Sequence, residues 1–171
     1  GIFAANGAGE LTGSFQIREW GYLDTPIVLT NTPSVGKAYD FVSKWMMKKL
    51  PEIGGSLSVV IPVVGECDDS ILNDPKINSW GQNDLFEALE DSFAISNGKQ
   101  PLTEHLALGD IGAGTGTINY DLKGGIGSAS RTVSIDGKEF TVGVMLQTNF
   151  GAREQLTILG NPVGKKIKHP I

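Results

Sequence analysis

The chain has 171 residues, a formal net charge of −5 and 40% apolar residues. That is long enough for one domain with its own core and too apolar for a disordered chain. No basic patch of the kind nucleic-acid binders carry is present, and no apolar run approaches the roughly 20 residues a bilayer helix needs, so neither nucleic acid nor membrane is expected as a partner. The single cysteine, Cys67, excludes an internal disulfide and a zinc cluster. The 23 glycines follow no triplet period and imply many tight turns between short strands. The first residue is Gly1, and no signal-peptide layout follows it. The expectation is a processed or partial chain of a soluble protein, cytoplasmic rather than secreted, forming a single domain over 1–171.

In chain order, residues 26–30 (Pro-Ile-Val-Leu-Thr) read as a short buried strand. Ser34 offers a helix N-cap oxygen. Val35, Ala38, Tyr39, Val42, Trp45, Met46 and Leu50 then recur at helical spacing, with Lys44, Lys48 and Lys49 towards the dipole-favoured end. Pro51 and Gly54-Gly55 stop the pattern, so a helix is expected over 34–50. Residues 57–65 are almost wholly apolar and β-branched, the signature of a strand covered on both faces, with Pro62 marking a break or an edge. A second helix is expected over 82–95, closed by Asn97-Gly98, and a helical turn at Leu102, Leu106 and Leu108. Beyond 111 the texture is that of a β-meander. It has a strand over 117–122, a hairpin of 131–135 and 139–146 around Asp136-Gly137, and a strand over 155–159. Residues 165–171 read as a mobile tail. The order favours α+β layers with helices outside antiparallel sheets.

Several motifs fail on chemistry. Gly112-Ala-Gly114-Thr-Gly116-Thr117 lacks the third glycine of a dinucleotide fingerprint and precedes a strand instead of a helix. Residues 160–166 imitate a phosphate loop but are one residue short and lack Ser or Thr after the lysine. His105 and His169 are the only histidines; neither sits in a zinc motif, and no G-x-S-x-G accompanies them, so His105 reads as a solvent-facing or capping residue. Glu66 and Asp68 suppress a Cys67 thiolate, leaving Cys67 as a small buried filler. Two positions stay open. Glu66 follows an apolar strand and is either a pocket carboxylate that holds an ammonium group or a turn acid. Asn149 precedes Gly151 and is either an oxyanion donor or a turn-forming residue.

Five stretches then occur in a telling order. They are Thr30-Asn-Thr-Pro-Ser-Val-Gly36, Pro62-Val-Val-Gly-Glu66 with Leu72-Asn-Asp74, Gly112-Ala-Gly-Thr-Gly116, Lys123-Gly-Gly-Ile-Gly-Ser-Ala-Ser-Arg131 and Gln147-Thr-Asn-Phe-Gly151. Together, from Gly7 to Gly164, the chain resembles the α-subunit of the DmpA-type aminopeptidases, which include the β-peptidyl aminopeptidases. The resemblance implies a four-layer αββα sandwich of the DmpA and ornithine acetyltransferase type, completed by a second (β) chain. It implies a precursor that cuts itself, an N-terminal Ser nucleophile on the β-subunit, and release of N-terminal residues from peptides, amides or esters. It also implies no metal or organic cofactor and an (αβ)4 assembly. By the same resemblance Glu66 receives the substrate's ammonium and Asn149 supplies the oxyanion hole, while both chain ends are incomplete. The sequence departs from the family pattern at Cys67, Asp68 and Ser70, and residues 75–100 are longer than usual. Two other readings are a non-catalytic scaffold relative and ornithine acetyltransferase-like acyl transfer, whose nucleophile is Thr.

Overall fold

The computed structural model describes residues 1–57, 59–101 and 107–168. The expectations for Leu102, Leu106, His105 and His169 lie outside the described residues, whereas Leu108, expected in the same helical turn, is exposed and not helical. The backbone divides into two compact units, Gly1–Glu66 with Pro75–Leu106, and Cys67–Asp74 with Ala107–Ile171.

The first unit begins with a helix the sequence reading did not anticipate, α1 (Ser14–Trp20), closed at both ends by left-handed glycines, Gly13 and Gly21. It is only seven residues long and leaves Phe15 and Trp20 exposed, so it carries no amphipathic period to read. Strand β1 (Ile27–Asn31) follows where a strand was expected, but it is only partly buried, with Thr30 inside and Ile27 exposed. A 3-10 turn, Thr32–Ser34, then feeds directly into α2 (Val35–Lys49). Ser34 occupies the N-cap position but is fully buried and makes no side-chain cap bond. The preceding 3-10 turn already holds it in helical geometry, where its hydroxyl does not take the usual capping role.

The apolar face of α2 buries Ala38, Val42, Trp45 and Met46. Helix α3 (Gln82–Ser96) packs against it through Leu89, with Leu85, Phe86, Val28, Ile53 and Val60 closing the cluster. Each fully buried side chain of this size contributes about 1.5–3 kcal/mol. At the helix pair's margin the Trp45 indole N–H donates to Glu90 Oε1 (2.9 Å) and the Lys49 ammonium to Oε2 (2.7 Å). The Lys49 bond, then that of Trp45, holds the Glu90 carboxyl below the ordinary glutamate range.

Strand β2 is shorter and later than the apolar run suggested, spanning Val63–Cys67 beside β1. Pro62 lacks the N–H a ladder needs, so pairing starts only after it. Val63 and Val64 are buried, as a strand covered on both faces requires. Cys67 is half-buried, not the small buried filler expected.

In the second unit the expected strand over 117–122 is two short strands, β3 (Ile118–Asn119) and β4 (Leu122–Lys123). Tyr120 and Asp121, both with positive φ (55° and 56°), make the two-residue turn between them. Strands β5 (Gly125–Ile135) and β6 (Lys138–Thr148) form the hairpin around Asp136-Gly137, in antiparallel register from Gly125 opposite Thr148 to Ile135 opposite Lys138. Both turn residues have positive φ, the conformation that Asp-Gly favours. The pairing extends well beyond the stretch expected. The strand over 155–159 is not formed. A 3-10 turn, Arg153–Gln155, and a single bridge between Ile158 and Asn161 stand there. Leu159 and Gly160 both take positive φ, which ends any extended run. Of the expected tail, Lys165 and Lys166 belong to a 3-10 turn, Val163–Lys166.

Candidate active site

Glu66 stands near the end of β2, half-buried, on the wall of a cleft of about 340 Å³. Residues 2–4, 6, 8–11 and 14 form the other walls. The segment before α1 runs beside β2, with Leu11 bridged to Gly65 and the Thr12 N–H donating to the Val64 carbonyl (3.0 Å). The Thr12 hydroxyl adds two contacts, donating to the Pro62 carbonyl (2.7 Å) and accepting from the Val64 N–H (2.8 Å). This seam presents the Glu10 backbone N–H to Glu66 Oε1 at 2.9 Å. A Cβ on Gly9 would stand 3.0 Å from the same oxygen, so a residue with a side chain would crowd the carboxylate. On the other side, the Thr32 hydroxyl donates to Glu66 Oε2. Each carboxylate oxygen thus has one donor. An ionised carboxylate offers about four acceptor sites, so roughly two remain for a cation in the cleft.

Asn149 lies just past β6, half-buried. Its Oδ1 accepts from the Ile118 N–H at 3.0 Å. With the carbonyl end of the amide committed, the NH₂ end is turned away as a donor. The loop is clamped around it. The Tyr120 N–H donates to the Phe150 carbonyl (2.9 Å), and the two rings meet edge to face at 5.1 Å. Gly151 has φ 84°, and a Cβ there would come within 2.5 Å of the Tyr120 ring. The Arg153 N–H donates to Asp121 (3.0 Å), fixing the loop's far end to the β3–β4 turn.

The glycine-rich stretch is a 3-10 turn, Gly112–Gly114, followed by β3, and it opens no helix that could hold a phosphate. It is held by Asn73, whose amide donates to Asp69 (2.9 Å) and to the Thr115 carbonyl (3.1 Å). A Cβ on Gly116 would collide with the Asn73 amide. Asp68 is exposed, and the Ser70 backbone N–H, then its hydroxyl, holds the Asp68 carboxyl below the ordinary aspartate range. Among the described residues no three His, Cys, Asp or Glu side chains gather as a metal would need. Sequence reasoning picked out Glu66 and Asn149 but not their holders. Thr32 sits inside a quoted motif, whereas the N–H groups of Glu10 and Ile118 are backbone with no side-chain signal.

The first unit thus holds a half-buried carboxylate with two donors on a cleft wall, the second an amide on a clamped loop, and the fold mixes helices and sheets. Residues 1–170 match the family model described as Peptidase family S58, and the chain belongs to that family. It is 38% and 40% identical over 163 residues to the β-peptidyl aminopeptidases BapA of Sphingosinicella microcystinivorans and Sphingosinicella xenopeptidilytica. Those alignments cover 95% of this chain and 38% of each relative. Among solved structures it is similar to the L-aminopeptidase D-Ala-esterase/amidase of Ochrobactrum anthropi, described as a variant of the Ntn hydrolase fold. The TM-score is 0.84 at 35% identity, over 97% of this chain and 44% of that one. The chain therefore spans about two-fifths of the length of the relatives it matches.

Proposed function

We propose that this chain is the α-subunit part of a self-processing serine aminopeptidase that releases N-terminal residues from peptides, amides or esters. The observation that carries the reading is the Glu66 carboxylate, fixed by the Glu10 N–H and the Thr32 hydroxyl on the wall of a cleft. A carboxylate held in this way suits a ligand ammonium, joined by charge-assisted hydrogen bonds. Family membership over residues 1–170 supports the same activity.

In this proposal the nucleophile is the N-terminal Ser of a β-subunit cut from the same precursor. A terminal α-amine has a pKa of roughly 8 and can take the hydroxyl proton that a lysine ammonium could not. The hydroxyl attacks the scissile carbonyl, and the Asn149 NH₂ donates to the oxyanion that forms. The amine leaves with a proton, and water releases the acyl group. The apolar face of the β5–β6 hairpin supports a second polypeptide. Phe140, Val142, Val144 and Leu146 on it are about half exposed, and the relatives are more than twice as long as this chain. The (αβ)4 assembly is proposed on the family resemblance alone.

The test is made on the complete protein. Glu66→Ala is expected to raise KM for free-amine substrates by far more than it weakens inhibition by the N-acetylated analogues. Equal losses on both would remove Glu66 from the amine site.

A further inference from the structure

We propose that Thr32 is a positioning residue for the amine-binding carboxylate, setting the affinity for substrates with a free N-terminus. The inference rests on the reading of Glu66 above and goes one step further, to what orients that side chain.

A glutamate reaches its ligand through three rotatable bonds, so an unheld carboxylate loses rotamer freedom each time it binds. Here two donors remove that freedom in advance, and they differ in kind. The Glu10 N–H is backbone, aligned by the Thr12 seam along β2 and admitted by the missing side chain of Gly9. The Thr32 hydroxyl is the only side-chain donor recorded on Glu66 among the described residues. It sits at the start of the 3-10 turn between β1 and α2, where Pro33 fixes φ and Ser34 is fully buried. The residue is anchored on both sides by regular structure, and its β-branch stiffens χ1. Its hydroxyl is therefore held in place at the carboxylate. Thr32 does not itself meet the ammonium in this scheme. It acts through Glu66, by keeping Oε2 turned so that the acceptor sites not used by Glu10 and Thr32 face the cleft.

The experiment uses the complete protein and measures kcat and KM for an amino-acid anilide, the inhibition constant of the N-acetylated analogue, and the unfolding midpoint. Thr32→Val removes the hydroxyl at nearly constant volume. It is expected to raise KM for the free amine about tenfold, the loss of one hydrogen bond to a charged group. The change in kcat is expected to stay within about twofold, and binding of the acetylated analogue and the unfolding midpoint to stay unchanged. Thr32→Ser, which keeps the hydroxyl on a looser stem, is expected to recover most of the loss. Should Thr32→Val not fold, the contrast of Thr32→Ala with Thr32→Ser decides by the same criteria. An unchanged KM overturns the proposal, as does a joint loss of kcat, KM and stability that Thr32→Ser does not recover. Glu66→Ala is run alongside. If it leaves the preference for free amines intact, the reading of Glu66 itself fails; if it abolishes that preference while Thr32→Val does not alter it, only the role of Thr32 fails.

Discussion

The orientation of one amide carries the catalytic part of the reading. Asn149 turns its oxygen to the Ile118 N–H, which leaves its NH₂ group as the donor to present elsewhere. A donor aimed at developing negative charge accelerates a reaction only where the transition state carries that charge. Asn149→Ala in the complete protein is therefore expected to lower kcat by roughly two to three orders of magnitude with a small effect on KM. Steady-state kinetics on a free-amine substrate checks this, and an unaltered kcat would exclude the role. Asn149→Asp is a sharper control, since it keeps an acceptor for Ile118 and replaces the donor with an acceptor of like charge to the oxyanion. Glu66 and Asn149 thus ask different questions of the kinetics, the first of binding and the second of the chemical step.

The elements rest on a few buried side chains. The pairing of α2 with α3 has Trp45 at its centre, 4% exposed, stacked edge to face on Phe93 and hydrogen-bonded to Glu90. Trp45→Ala removes that packing and leaves Glu90 without its indole donor. The expected destabilisation is about 3–5 kcal/mol, read as a shift in the denaturation midpoint. Glu90→Gln, at an exposed position, is expected to move the midpoint far less. The helix pair was legible because its apolar positions repeat at 3.6 residues, and the Asp136-Gly137 hairpin because its turn chemistry is local. What stayed hidden depends on distant partners. Helix α1 is too short to show a period and is bounded by two left-handed glycines. The 57–65 run read as one strand because its composition is uniform, whereas Pro62 decides where pairing starts. Residues 155–159 look β-rich, but the positive φ of Leu159 and Gly160 belongs to a turn. At the site, residue type alone leaves Glu66 and Asn149 open between a site role and a turn role, and the roles proposed for them come from the family resemblance. The Gly9–Glu10 backbone seam carries no pattern that a linear reading could weigh.

At the scale of the whole molecule, the β5–β6 hairpin exposes Phe140, Val142, Val144 and Leu146. The register places Ala129, Arg131, Val133 and Ile135 opposite Val144, Val142, Phe140 and Lys138. These positions share one face with Leu146, whereas Ser128, Ser130, Thr132, Thr141 and Gln147 alternate onto the other. A two-stranded sheet of eleven residues a side, with one exposed face that is apolar apart from Arg131 and Lys138, is marginal alone. In the proposed enzyme this face is covered by the β-subunit. Arg131 already stands on this face directly opposite Val142, so an arginine at 142 sets two like charges side by side where the second polypeptide would have to cover them. Val142→Arg in the complete protein is therefore expected to prevent stable association of the two polypeptides and, with it, activity. Thr141→Arg, one position along on the polar face, is expected to leave the complex assembled. Size-exclusion chromatography with light scattering separates the outcomes. A Val142→Arg protein that still elutes as the full complex would mean that the apolar face of the hairpin is not where the second polypeptide binds.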